Sequence, residues 1–121
     1  MSVDPTGADL RRFLEAGPDD PVVMLNLLRF RPDGGRESYE RYAREIHPFL
    51  EKVGAEMVYV GDTSTALVAP ESHDWDAVLL VRYPSRRAFS RMVADPDYQR
   101  ITSLRTEALE AAVLQATVPR A

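Results

Sequence analysis

The chain has 121 residues and no cysteine, and its 15 basic residues are scattered among 19 acidic ones to give a formal net charge of −4. The length suits a single domain over 1–121, with 1–20 as an N-terminal helical extension, and the charge pattern argues against a nucleic-acid surface. Without cysteine there is no disulfide framework or thiolate metal site. No segment has the roughly 20 apolar residues of a membrane span and no signal-peptide core precedes the domain, so we expect a soluble cytoplasmic protein.

The first half of the chain predicts two helices and two strands. Residues 6–16 form a short amphipathic helix in front of the domain, because their apolar side chains share one face and Gly17 follows as a stop signal. Residues 22–30 are an apolar run bounded by proline and glycine, which is typical of a strand. Residues 37–53 repeat apolar side chains at helical spacing, and 55–60 alternate as a second strand does.

The second half of the chain predicts two further strands, a shorter extended piece and two helices. A shorter extended piece is expected at 65–69 and a strong strand at 77–83. Proline and serine at 84–85 open a helix, and the Asp-Pro pair at 95–96 caps a further one that turns Tyr98, Ile101, Leu104 or Arg105, and Ala108 inward. A last strand is expected at 112–118. The order β-α-β-(β)-β-α-α-β predicts an α+β, ferredoxin-like fold with helices on one face of an antiparallel sheet.

The strand at 22–30 is apolar on both of its sides. Alternation places Val23, Leu25 and Leu27 on one side, while the other side is also apolar, and the strand at 77–83 behaves in nearly the same way. A sheet with one face in water should alternate apolar with polar residues. We therefore expect a second copy of the chain to cover the face that the helices leave open, which gives a homodimer with sheets packed face to face.

Three sequence runs carry a resemblance to a known family. MLNLLRF, then WDAVLLVRYPSRRAF, then DPDYQR followed by 105–109 resemble, in this order, the domain-of-unknown-function family DUF1330. The resemblance covers 21–118 and implies the fold and dimer of the dimeric α+β barrel superfamily. Most family members have no assigned reaction. More distant superfamily relatives resemble cofactor-free monooxygenases, haem-degrading enzymes, lactone isomerases and polyketide cyclases, which usually work in a cavity between sheet and helices.

Asn26 is the most unusual residue of the chain, because it is an amide at the centre of an apolar strand. A buried amide left unpaired costs on the order of 1 to 3 kcal/mol, so Asn26 must bond either to protein or to a ligand. If the strands at 22–30 and 77–83 pair about their centres, Asn26 lies opposite Leu80 and Arg82 opposite Met24. Asn26 and Arg82 then share a face. The alternative for Arg82 is a strand-end side chain that reaches solvent.

Further candidates are a histidine and three aromatic residues. His47 lies beside the apolar stripe of its helix, where a neutral imidazole could act as a general base, although an exposed flank histidine is the alternative. Tyr42, Tyr59 and Trp75 are candidate substrate-binding residues, or simply core residues. His73 and the acids that follow it match no recognised metal signature, so we expect no metal.

These observations lead to a functional expectation with open alternatives. We expect a dimer that binds a small apolar or aromatic metabolite between sheet and helices. As an enzyme it would perform cofactor-independent cyclisation, isomerisation or oxygenation, with His47 as base and Asn26 and Arg82 holding a carbonyl or enolate. The alternatives are a non-catalytic dimeric binding or scaffold protein with a packed interior, and a haem-binding or haem-degrading protein.

Overall fold

The structure, a computed structural model, describes residues 2–120 and forms an α+β fold of the ferredoxin-like type. Its four strands make one antiparallel sheet in the order β2-β3-β1-β4, with the helices on one face. The predicted fold class is therefore confirmed. The elements follow the chain as α1 (Gly7–Glu15), β1 (Val22–Phe30), α2 (Gly35–Lys52), β2 (Glu56–Asp62), β3 (Ala77–Tyr83), α3 (Arg86–Ala94), α4 (Pro96–Gln99), α5 (Thr102–Ala108) and β4 (Leu109–Thr117).

Short-range capping contacts explain where several helices begin. Thr6 and Asp9 form a reciprocal capping box at the start of α1, with Asp9 N–H donating to Thr6 Oγ1 at 3.0 Å. Ser85 caps α3 through its hydroxyl oxygen, and Asp95 caps α4 with Pro96 in the first helical position, as predicted. The single helix expected after Asp95 is divided in the structure into α4 and α5.

The register between β1 and β3 differs by one residue from the predicted pairing. Asn26 lies opposite Leu79 rather than Leu80, and Arg82 lies opposite Val23 rather than Met24. A one-residue shift moves every side chain of a strand to the other face. The prediction that Asn26 and Arg82 share a face is therefore wrong.

The observed register avoids the cost of placing a charged side chain under the helices. The predicted pairing would have buried Arg82 on the helix-covered face, which is expensive without a partner. In the observed register Ala77, Leu79, Val81 and Tyr83 take the buried positions of β3. Arg82 lies on the open face, within 4.0 Å of a Glu56 carboxylate oxygen and with 40% of its side chain exposed.

The predicted extended piece at 65–69 is a loop in the structure. The pairing of β2 with β3 extends as far as a hydrogen bond from Thr63 N–H to the Asp76 carbonyl at 3.0 Å. The two strands thus pair directly with each other, and the chain between them is left as the connection. Leu67 and Val68 within it are 91% and 96% exposed.

The two faces of the sheet have different environments. Val22, Met24 and Leu28 of β1 are buried against the helices and belong to the main core. The residues between them point to the opposite face, where the register sets Leu25 beside Leu80 and Leu27 beside Val78. These outer-face residues are only half-buried in the single chain: Val23, Leu25, Leu27, Val78, Leu80 and Val113.

A close backbone approach at the start of α2 yields a stability prediction. A Cβ atom at Gly35 would lie 2.6 Å from the backbone carbonyl oxygen of Ala108, which cannot move aside without shifting the start of β4. We therefore expect Gly35→Ala to lower the free energy of unfolding by about 1–3 kcal/mol in urea denaturation followed by circular dichroism. Gly7→Ala is the matched control, since a Cβ at Gly7 meets nothing within 4 Å and should leave stability unchanged or slightly higher. Equal stability of the two variants would contradict the prediction.

Candidate functional site

A cavity of about 230 Å³ lies between the helix-covered face of the sheet and the helices. Its apolar walls come from the sheet and from α2 and α3, so an occupant would rest mainly against aliphatic and aromatic carbon. Polar groups interrupt these walls at a few positions only, which is the usual composition of a small-molecule site. The apolar lining includes Ile46, Leu50, Leu79, Val81, Phe89 and Leu114.

Asn26 lies on the sheet side of this cavity. It is 9% exposed, and its neighbours across β3 and β4 are Leu79 and Leu114, which also line the cavity. In the described part of the chain its amide makes one hydrogen bond, from Nδ2 to the Met24 carbonyl at 3.3 Å. The carbonyl oxygen Oδ1 is therefore left as an acceptor at the cavity wall.

Four tyrosines line the same cavity: Tyr39, Tyr42, Tyr83 and Tyr98. The hydroxyls of Tyr42 and Tyr98 form a hydrogen bond of 2.7 Å with each other. Burial raises the pKa of Tyr39 to about 12 and also raises the pKa values of Tyr42, Tyr83 and Tyr98. Tyrosine hydroxyls are protonated at neutral pH already at their ordinary pKa, so all four act as neutral hydrogen-bond donors or acceptors there.

A buried guanidinium completes the polar part of the cavity. Arg105 of α5 lines the cavity with only 6% of its side chain exposed. Its Nη1 donates to the carboxylate of Asp4 at 2.8 Å and to the carbonyl of Val3. Its Nη2 is buried and finds no acceptor among residues 2–120. Because Nη2 is closed off from accessible space, an occupant of the cavity does not reach it, and its missing hydrogen bond is a cost of the fold.

Two of the predicted site residues lie away from the cavity. Arg82 faces the opposite side of the sheet. His47 lies on the outer side of α2 with 70% of its side chain exposed, and its Nε2 is 2.7 Å from the Glu51 carboxylate. His73 is also exposed, so neither of the 2 histidines lines the cavity. The cavity therefore offers no imidazole to bind a haem iron, as the haem alternative would need.

The predicted aromatic residues are also divided. Tyr42 lines the cavity, whereas Tyr59 and Trp75 do not. Tyr59 is 54% exposed on β2, and Trp75 lies in the loop before β3 with the Arg29 guanidinium 5.8 Å from its ring centre. The structure therefore brings Asn26 and Tyr42 to one cavity and separates them from the other candidates.

Sequence reasoning did not assign a site role to Arg105, Tyr98 or Asp4. For Arg105 a signal existed, because the helical stripe after Asp95 placed an arginine at a position that could turn inward. An arginine on the inner face of a helix indicates either a buried ion pair or a ligand. No comparable signal marked Asp4, whose contact with Arg105 spans 101 residues of the chain.

An antiparallel sheet with helices over one face and a mostly apolar cavity between them defines a ferredoxin-like α+β protein with a candidate site between its layers. No curated protein matches the chain in sequence. The family model for the domain of unknown function DUF1330 matches residues 34–117, and the chain belongs to this family. The predicted family is therefore confirmed.

Solved structures share the fold of this chain. RPA0582 from Rhodopseudomonas palustris, described as a protein of unknown function, is 32% identical with a TM-score of 0.90, and the match covers 98% of this chain and 97% of that one. A hydroxynitrile lyase from Passiflora edulis shares the fold at 12% identity and a TM-score of 0.65, over 85% of this chain and 96% of that one. A dimeric ferredoxin-like protein of unknown function from Jannaschia sp. CCS1 is 9% identical with a TM-score of 0.63, covering 82% and 99% respectively.

The buried tyrosines predict a loss of stability at alkaline pH. The folded pKa of Tyr39, about 12, lies above its ordinary value, so the folded state holds the phenolic proton more tightly than the unfolded state does. The protonated Tyr39 hydroxyl thus contributes to the stability of the fold below about pH 10, and this contribution is lost as the pH rises toward the pKa of Tyr39 in the folded state. Urea unfolding between about pH 9 and 11.5 should show a falling free energy of unfolding, with a shallower fall in Tyr39→Phe. Tyr59→Phe, which removes an exposed hydroxyl, should follow the wild type, and a Tyr39→Phe slope equal to the wild-type slope would contradict the prediction.

Proposed function

We propose that this protein is a homodimer that binds a compact, mostly apolar small molecule in the cavity between sheet and helices. The observation that carries the binding proposal is the buried Asn26 amide at the cavity wall, whose Oδ1 accepts no hydrogen bond in the described chain. Native proteins pair most buried polar groups, so an amide oxygen left over at a cavity favours a site that takes a donor from a ligand. A hydroxyl or N–H group of the bound molecule would be that donor.

The cavity itself supports binding over the alternative of a packed interior. Protein cores rarely leave voids much larger than a water molecule, whereas this one has a volume of about 230 Å³. Its lining also combines polar groups that a purely structural core has no need to collect in one place. Asn26 and the Tyr42–Tyr98 hydroxyl pair are the groups that would fix a ligand's orientation.

These groups give the site a definite chemical preference. Tyrosine hydroxyls carry their protons at neutral pH even at their ordinary pKa, and burial raises the pKa values of Tyr39 and Tyr42 further. Such donors suit a carbonyl, quinone or phenol oxygen at one end of the ligand. The proposed role of holding a carbonyl therefore passes from Arg82 to the Tyr42–Tyr98 hydroxyl pair, while Asn26 remains a candidate ligand contact.

A thermal-shift screen of aromatic ketones, phenols and quinones tests the binding proposal. Quinones are suitable probes because the chain has no cysteine with which they would react. We expect compounds that raise the melting temperature of the wild type, and we expect Asn26→Leu, which keeps the side-chain volume but removes the amide, to weaken them by about tenfold, which is the usual size of losing one ligand hydrogen bond.

The matched control for this screen is His47→Gln. His47 is exposed on the far side of α2, so its substitution should leave every ligand response unchanged. Ligand responses that survive in Asn26→Leu but disappear in His47→Gln would place the binding site elsewhere. A screen with no response in the wild type would count against a binding function.

The homodimer proposal rests on the outer face of the sheet. Leu25 and Leu80 lie directly opposite each other on this face, and the helices cover the other one. A half-buried apolar sheet face needs a partner surface, and a second copy of the same face is the simplest one. Two solved structures of similar fold are described as dimeric, one from Jannaschia sp. CCS1 and one from Bacteroides fragilis NCTC 9343.

Sedimentation velocity at micromolar concentration tests the dimer. We expect the wild type to sediment as a dimer, and Leu25→Asp or Leu80→Asp to sediment as a monomer with unchanged far-ultraviolet circular dichroism, because a buried carboxylate at the sheet interface is strongly unfavourable. Val68→Asp is the matched control. It places the same charge on an apolar side chain that is 96% exposed in the loop, so it should remain dimeric. A monomeric wild type would rule out the proposed dimer.

A further inference from the structure

A second hollow, of about 640 Å³, lies between α1 and the helix-covered face of β4, the edge strand of the sheet. We call it the α1 cleft. Its floor on the sheet and the facing side of α1 are apolar, and the exposed polar residues Ser2, Arg12 and Gln115 border it. The apolar residues that line it include Leu10, Phe13, Met24, Phe89, Ala112 and Ala116.

The α1 cleft exists because α1 is attached to the fold from one side. The Phe13 ring packs edge-on against Phe89 of α3 at 5.5 Å, and Arg86 Nη1 donates to the Phe13 carbonyl at 2.9 Å. None of the residues of α1, all of which the structure describes, is buried. The helix is therefore anchored on α3 and extends over β4 without packing closely against it.

The inner face of β4 is consequently covered less well than that of its neighbour β1. Ala112 and Ala116 are only partly buried, whereas Leu28 and Met24, which lie opposite them on β1, are 0% and 4% exposed. Leu114, between the two alanines on the same face, is also partly buried. An apolar occupant of the cleft would remove this surface from water, which is favourable in proportion to its area.

The α1 cleft adjoins the cavity that holds Asn26. Four residues line both spaces: Asp4, Pro5, Phe89 and Leu114. Leu114 lies directly opposite Asn26 in the pairing of β1 with β4, so the Asn26 side of the cavity is about one strand spacing, roughly 5 Å, from the floor of the cleft. The two spaces therefore share one continuous sheet surface.

We infer that the cavity and the α1 cleft form one elongated site, in which the ring of the ligand lies beside Asn26 and an unbranched alkyl chain extends past Leu114 under α1. An alkyl chain suits a floor of alanine and leucine side chains, and the polar border marks the solvent side of the cleft. The inference rests on the proposed binding function and adds the shape of the ligand. It also gives the N-terminal extension a role, as the roof over the chain.

A series of phenols with alkyl chains of increasing length tests the inference. The probes are 4-ethylphenol, 4-butylphenol, 4-hexylphenol and 4-octylphenol, whose hydroxyl group supplies a donor for Asn26 Oδ1. Dissociation constants are measured by ligand-observed nuclear magnetic resonance at pH 7.5. We expect the wild type to bind about threefold more tightly for each added methylene up to the octyl chain, because each one leaves water for an apolar surface.

Two substitutions at Ala116 fill the cleft without altering the cavity, because Ala116 lines the cleft alone. Ala116→Leu and Ala116→Phe should bind 4-ethylphenol as the wild type does and 4-octylphenol about tenfold or more weakly. The unchanged binding of 4-ethylphenol shows that the variant is folded, and the smaller leucine keeps the test available if phenylalanine disturbs the fold.

Two further variants separate the ends of the site. Ala66→Phe makes the same change in the exposed loop before β3 and should leave all four dissociation constants unchanged. Asn26→Leu should weaken all four phenols by a similar factor, because it acts on the ring end of the ligand and not on the chain.

The outcomes distinguish the inference from the proposed function. An affinity that stops rising after 4-butylphenol, or Ala116 variants that both bind 4-octylphenol as the wild type does, overturns the inference and leaves the cavity a binding site. A wild type that binds none of the four phenols also overturns it. If the thermal-shift screen is empty as well, the proposed binding function fails with it.

Discussion

The antiparallel pairing of β1 with β3 decides which side chains lie under the helices and which lie on the outer face of the sheet. Asp76 fixes that pairing at one end, because its backbone N–H donates to the Leu28 carbonyl at 2.7 Å and its carboxylate accepts from Phe30 N–H at 2.8 Å. With this register Asn26 points toward the helices and Arg82 points away from them. A shift of this register by one residue would place Asn26 and Arg82 on the same face and exchange the buried and outer side chains along one of the two strands.

The cavity is held open by large side chains that support one another. The Tyr42 ring lies 5.4 Å from that of Tyr39 and 6.5 Å from that of Tyr98, and Phe49 packs edge-on against Tyr98 at 5.9 Å. Aromatic rings are rigid and cannot collapse into a neighbouring space as flexible side chains do. The cluster therefore keeps its polar tips at the cavity without filling it, and a stiff framework of this kind reduces the ordering cost of binding.

Local sequence patterns predicted the elements well, since β1 and β3 match the expected strands residue for residue. They did not predict the register, because both faces of each strand are apolar and the deciding contact comes from a loop residue, Asp76. Within the site, Asn26 was found because an amide in an apolar strand is conspicuous, whereas Tyr42 was one of three aromatic candidates of which the other two lie away from the cavity. Arg105 was partly visible as an inward-facing arginine, whereas Asp4 was not, since a contact over 101 residues leaves no local trace.

Because of the contact between Asp4 and Arg105, the shape of the cavity and the charges at its wall depend on different parts of the chain. The sheet and the paired helices set the size and position of the cavity, whereas a few residues ahead of α1 set its electrical balance. Among the residues ahead of α1, Val3 packs against the main core, whereas Asp4 lines the cavity and pairs with Arg105. A joint exchange of Asp4 and Arg105 would therefore change the charges at the cavity wall and leave the sheet and the helices as they are.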